Sequence, residues 1–371
     1  MDKYEKILAK WGFYPFEVGT LEHPLDVSSI GKVGPDYKRV RVSTPGRFLS
    51  GLRDLRGLVI REPTGEFNYG EVSFGVDLRT YADVSLHDSD SIHVTGNTER
   101  PSIIRHFAEI MRKQLNYDGG LLIEANNDFP YHHVGSGSSA ALATAEVFAI
   151  NKLLGNPIKK EDLPLLIARN YGEEIQEDPN KLITVQCTGG TSWMGLLGGL
   201  IMVYNSQPIQ RMDIPEGLVY IAGVPEYPKP DAKGAMARET VAVFQHILDN
   251  ASHMETFFKE RFQDMEASIK TRDMEEVGKV IFETYSDERF MTGYDNMFPE
   301  LKTTFWDLRK LLKRYSPATS FISSAGPAIV TLCGRDVGKE ISRCYNQLGI
   351  NYVFEAQPTN SGFRYETLER E

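Results

Sequence analysis

Only three cysteines occur in 371 residues, Cys187, Cys333 and Cys344. They show neither metal-ligand spacing nor the even count of a disulfide framework, which points to a reducing, cytoplasmic compartment. No apolar run is long enough to cross a bilayer, so no membrane partner is expected. The opening Met1-Asp2-Lys3-Tyr4-Glu5-Lys6 is charged rather than apolar, which does not fit a secretory leader. Basic residues are in deficit: 41 Lys and Arg against 51 Asp and Glu leave a net charge of −10. That balance argues against a nucleic-acid partner, and any phosphate site has to be locally basic. Repeats with a period of about 20–50 residues and low-complexity tracts are both missing. What is present, 41% hydrophobic and 25% charged residues, is the composition of an ordinary globular chain long enough for two lobes.

Residues 1–37 read as an extension: a short helix, then a Pro/Gly-punctuated segment that is either a lid or dimer arm or a packing strap. Alternation over Tyr37–Ser43 predicts the first strand of a lobe spanning 38–215. Strand patterns recur over Glu71–Leu78, Ala82–Leu86, Ser91–Thr95 and Gly120–Glu124, and helical spacing over 102–117. A helix is expected from Glu161 to about Glu174, with Pro164 tolerated near its start. A second lobe, 216–371, opens on the buried-type strand Gly217–Val224. It continues through helix-rich segments over 235–285 and 299–314, a strand–Gly turn–strand hairpin over Thr319–Leu332, a helix over Lys339–Leu348 and a last strand, Asn351–Ala356.

The stretch that organises the chain is Pro130-Tyr131-His132-His133-Val134-Gly135-Ser136-Gly137-Ser138-Ser139-Ala140-Ala141. It follows a strand and enters the helix-forming run from Leu142 to Leu154. The first-turn N–H groups of a helix have no internal partner and that end carries the positive pole of the dipole. Glycines let the backbone approach a ligand, and Ser138 and Ser139 add hydroxyl donors. The combination suits a phosphate; the plainer alternative is a helix cap on a tight loop.

Pro-x4-Gly-x-Gly-Ser-Ser-Ala-Ala resembles the phosphate loop of the GHMP superfamily, with Ser136 where Leu is usual. Thr44–Gly57 and Ser323–Leu332 resemble that superfamily's N-terminal motif and its C-terminal Gly-rich hairpin, in the same order. The resemblance implies an α+β two-lobe fold, with a ribosomal-protein-S5-domain-2-like N-terminal lobe, a ferredoxin-like C-terminal lobe and the ligand between them. Within the superfamily, three stretches resemble β-ribofuranosylaminobenzene 5′-phosphate synthase. They are Arg47-x3-Gly51-Leu52-x-Asp54-Leu55-x-Gly57, His133-Val134-Gly135, and Ser323-Ser324-x-Gly326-Pro327, with Ala325 in a Trp place. This resemblance implies transfer of ribose 5-phosphate from phosphoribosyl pyrophosphate to an aromatic carboxylate, with loss of CO2 and pyrophosphate. The alternative is an ATP-dependent small-molecule kinase like homoserine or mevalonate kinase. Ser138-Ser139-Ala140-Ala141 favours it. Thr191, seven residues before Gly198 where many of those kinases place an acidic base, does not, since a Thr hydroxyl is no base at neutral pH. A third reading is a phosphate-ligand-binding module without catalysis.

Under the leading expectation Gly135, Ser136, Gly137, Ser138 and Ser139 hold one phosphate cluster, with Ser323, Ser324 and Gly326 on the facing hairpin. Arg47 and Arg53 hold substrate charge. Asp54 supports the arginines, stabilises the cationic carbon or, with Ser139, ligates Mg2+. His132 and His133 either contact substrate or hold the loop; Thr191 and Ser192 either face substrate or cap the next helix. Lys233 and Arg238 are either part of a closing loop or a solvated basic face. A homodimer is the expected assembly.

Overall fold

The computed structural model describes residues 3–370 apart from 27, 29, 53–69, 130–134, 176–177, 227–231, 316–317 and 325. The extension begins with α1 (Lys3–Ala9) and β1 (Pro15–Glu17). It is a packing strap over residues 14–25, held by three buried side chains of the first lobe. His106 accepts from the Gly19 N–H at 2.9 Å, and Gln114 exchanges two hydrogen bonds with the Leu25 backbone. Asn170 accepts from the N–H groups of Glu22 and His23 and donates to the His23 carbonyl. Orphaned backbone groups are thereby satisfied where the strap crosses the surface.

The strand predicted over 37–43 continues without a break as β2 (Arg39–Leu52), bulged between Pro45 and Gly46. It pairs antiparallel with β3 (Glu71–His87), which joins two segments read separately in the sequence. β4 (Ile92–Val94), α2 (Pro101–Leu115) and β5 (Gly120–Asn127) follow. α3 (Ser138–Leu153) packs across β2, β3 and β5 beneath α2. It is apolar nearly all round because it is buried nearly all round, as expected of a helix between a sheet and other helices.

α4 (Leu163–Arg169) is shorter than the expected helix; the chain has already turned into β6 (Gly172–Ile175) and β7 (Asp178–Thr184), which form a small sheet with β1. α5 (Gly190–Leu197), β8 (Leu200–Tyr204) and β9 (Gln207–Met212) complete this part of the chain, with β8 pairing to β3.

The second lobe has a four-stranded antiparallel sheet built from β10 (Leu218–Val224), β11 (Thr319–Ile322), β12 (Ile329–Gly334) and β13 (Tyr352–Ala356). Its order, β11-β12-β10-β13, with helices between β10 and β11 and between β12 and β13, is the ferredoxin-like arrangement. The first crossover runs through α6 (Ala232–Glu239), a π-helical turn (Thr240–Phe244), α7 (Gln245–Asp249), α8 (Ala251–Thr271), α9 (Met274–Thr284), α10 (Glu288–Met297) and α11 (Lys302–Leu312). The second is α12 (Gly338–Gln347). A final strand, β14 (Arg364–Glu369), returns to the first lobe and pairs with β2 at the edge of its sheet. No helix of the described residues is long and apolar enough to cross a membrane.

Candidate active site between the lobes

The phosphate-loop segment and the Gly-rich hairpin meet. The Ser323 hydroxyl donates to the Gly135 carbonyl at 2.7 Å and accepts from the Leu49 N–H at 3.1 Å, so one side chain joins α3's entry loop, β2 and the hairpin. Gly135 is required here: its φ is +88°, and a Cβ would sit 1.9 Å from the Ser323 carbonyl oxygen. The neighbouring Ser324 N–H donates to the Leu49 carbonyl, and the Ser324 carbonyl accepts from Tyr294 at 2.9 Å.

A cavity of about 280 Å³ lies at this junction, walled by Gly135–Ala140, Arg47, Thr191, Ser324 and Gly326 and, from the second lobe, by Met236, Arg238, Glu239, Phe244, Tyr294 and Phe298. The first intrahelical bond of α3 runs from Ala141 N–H to the Gly137 carbonyl, so the N–H groups of residues 138–140 precede the ladder. Ser136 is 3% exposed and its hydroxyl has no hydrogen-bond partner among the described residues. A buried hydroxyl left unpaired costs about 1–3 kcal/mol, which a ligand oxygen recovers.

Beneath the loop lies a polar floor that the sequence did not reveal. Glu71 is fully buried on β3, accepting from Ser73 at 2.7 Å and from Thr188 at 2.6 Å. Arg47 approaches it at 3.9 Å while its Nε donates to the Thr191 hydroxyl at 2.6 Å. Gly190 leaves room for this carboxylate at the start of α5; a Cβ there would lie 1.6 Å from Glu71 Oε1. Arg47 and Thr191 are therefore tied to each other, and Ser192 shares a 2.8 Å hydrogen bond with Thr144 of α3. Asp54, His132 and His133 lie outside the described residues, as do Arg53 and Ala325. Lys233 falls in α6 and Arg238 is an exposed residue of the same helix.

Glu173 is the second acid missed by the sequence reading. It lies on β6, in the segment expected to be helix, and accepts from Tyr171 at 2.7 Å. Burial pushes its carboxyl above the usual carboxylate range, with the Tyr171 hydroxyl, the Arg100 charge and the Ser139 hydroxyl working the other way. Its Oε2 is buried without a partner. Glu173 and Ser139 fit a hard divalent cation held by few carboxylates together with a ligand's phosphates. No cluster of three or more His, Cys, Asp or Glu side chains suited to a metal occurs among the described residues. Cys187, also on the cavity wall, is no nucleophile: burial pushes its thiol up to about 11.

Residues 102–180 match the family model for the GHMP kinases N terminal domain. The chain has the GHMP fold. A homoserine kinase from Caldanaerobacter subterraneus subsp. tengcongensis is 22% identical over 321 residues, covering 82% of this chain and 93% of that protein. The structure of homoserine kinase from Cytophaga hutchinsonii superposes with a TM-score of 0.62 at 18% identity, covering 88% of this chain and 97% of that one. A structure described by the mevalonate-diphosphate-mediated ATP binding mechanism of the mevalonate diphosphate decarboxylase from Enterococcus faecalis gives 0.60 at 16% identity, covering 88% and 98%. These similarities correct the expectation of a synthase acting on phosphoribosyl pyrophosphate: the curated relatives are kinases. Of the residues that carried that expectation, Asp54, His133 and Ala325 lie outside the described set, and Arg47 is bonded through its Nε to Thr191 and lies 3.9 Å from Glu71.

Proposed function

We propose that this chain is an ATP-dependent kinase that phosphorylates the hydroxyl of a small acceptor. The observation that carries the reading is the buried, unpartnered Ser136 hydroxyl beside the open amides of α3, in a loop clasped to the opposite hairpin through Ser323. These donors suit a polyphosphate chain. Glu173 and Ser139 would hold Mg2+, which supplies charge neutralisation at the phosphates when bound. Arg47 keeps a fixed positive charge at the floor of the same cavity. Catalysis in such a site is largely placement and electrostatic stabilisation. The similarity to homoserine kinases over most of the chain supports this reading, with homoserine the first acceptor to test.

The test is thermal unfolding of the full chain with Mg2+-ATP, followed by ADP release with homoserine and with a panel of small hydroxy acids. A ligand at 100 times its dissociation constant adds about 2.7 kcal/mol to stability. No thermal shift with Mg2+-ATP would retire the kinase reading.

A further inference from the structure

The cavity has three described carboxylates on or under its wall, and two of them have polar partners. Glu71 is held by Arg47, Ser73 and Thr188, and Glu173 by Tyr171 next to Ser139. Glu239, at the end of α6, is half-buried on the wall and has no polar partner among the described residues. Neighbouring elements bring Glu173 and Glu174 from β6, Lys6 from α1 and Tyr294 from α10, and Arg238 precedes it in its own helix. None of these forms a hydrogen bond or ion pair with it. Tyr294, which its charge does reach, spends its hydroxyl on the Ser324 carbonyl.

Partly withdrawn from water and facing the cavity, this carboxylate is one that a ligand can engage. The backbone supports the same reading. The chain leaves α6 through the π-helical turn Thr240–Phe244, with the Thr240 hydroxyl back-bonded to the Met236 carbonyl at 2.7 Å. Such turns sit disproportionately at functional sites, because the extra residue re-aims the side chains around it. On the first-lobe side Thr191 cannot take a proton at neutral pH, Glu71 is bonded through both oxygens, and Glu173 is placed at the cation.

We propose that Glu239 is the general base of the transfer, resting on the kinase reading above. As the acceptor oxygen bonds to the terminal phosphorus of ATP, the bond from that phosphorus to the bridging oxygen breaks. The electron pair leaves with ADP, and the acceptor's hydroxyl proton passes to the Glu239 carboxylate. Burial supports the role by raising this carboxyl to about 7, where a base is both free and strong enough at neutral pH.

The experiment compares the full chain with Glu239→Gln and Glu239→Asp, using Mg2+-ATP, the acceptor that supports ADP release and a kcat–pH profile. The expected result is an acid limb near pH 7 in the wild type. Glu239→Gln should lower kcat about 10²–10⁴-fold and abolish that limb, with ATP KM nearly unchanged. Glu239→Asp should restore part of the rate and the limb. Equal melting temperatures with Mg2+-ATP bound would show that the variants fold and hold nucleotide. The proposal is overturned if Glu239→Gln keeps its kcat, if the acid limb survives the substitution, or if only the acceptor KM rises. A wild-type chain that ignores Mg2+-ATP overturns the kinase reading and this proposal together, an outcome distinct from nucleotide binding with an indifferent Glu239.

Discussion

Lowering the pH should unfasten the strap through one side chain. His106 is fully buried on α2; its Nδ1 accepts from Gly19 N–H, and its Nε2 lies 2.8 Å from the Asn170 carbonyl, to which it donates. Burial, with a lesser contribution from Lys113, holds its pKa down to about 4 from an ordinary 6.5, against the opposing pull of the Asn170 carbonyl. Between those values the unfolded chain binds a proton that the folded chain refuses, so stability rises with pH across that window. The contribution is complete above pH 6.5 and is lost as pH falls toward 4. At about 1.36 kcal/mol per unit, the interval corresponds to about 3 kcal/mol. The measurement is urea or thermal unfolding of wild type and His106→Gln from pH 7 to 4, taking the difference at each pH so that groups common to both cancel. Trp11, whose ring meets Phe244 edge-on at 6.3 Å, reports the strap by fluorescence. A pH-independent difference between the two proteins would refute the reasoning.

Glu146, fully buried in the middle of α3 with neither oxygen partnered, has its carboxyl raised well above the usual range by burial. Its folded form keeps a proton that the unfolded form releases, so stability falls as pH rises above the ordinary carboxylate pKa. Glu146→Gln should remove that slope, and Glu146→Met should raise the melting temperature at pH 8 by an amount equivalent to about 1–3 kcal/mol. Gly135→Ala forces a Cβ against Ser323 and into a positive φ. It should cost about 1–3 kcal/mol in stability and weaken Mg2+-ATP binding, as read by thermal shift and calorimetry. Glu173→Gln should raise the Mg2+ concentration needed for half-maximal ADP release about tenfold or more while the apo melting temperature changes little; an unchanged requirement would remove Glu173 from the cation site.

The Gly/Ser loop that enters α3 was legible because its chemistry is local: glycine and serine before a strong helix former state both the turn and the donor set. The hairpin over 319–332 was legible for the same reason, through Gly326 between two apolar runs. Glu71 was not, because what makes it a floor rather than a strand residue is Thr188, 117 positions away. Glu173 was missed through a wrong boundary. Asn170 and Gly172 were the stop signals that the helical pattern from Glu161 ran past; Asn170 ends the helix by committing its side chain to the strap and to the Leu166 carbonyl. β14 escaped notice because its residues, Arg364-Tyr365-Glu366-Thr367-Leu368-Glu369, are mostly exposed at a sheet edge and show no clear apolar alternation. Glu239 reads in sequence as one more charged residue on a helix; only the cavity beside it and its lack of partners distinguish it.

The return of residues 364–369 to β2 has a consequence for how the chain is made. During synthesis the flank of β2 away from β3 has no mate until residues 364–369 have emerged, by which time β10–β13 are available to close their own sheet. For that interval a row of backbone donors and acceptors is open to foreign strands. Ribosome-bound chains halted before Arg364 should therefore recruit holdase chaperones, and emergence of residues 364–369 should end the association.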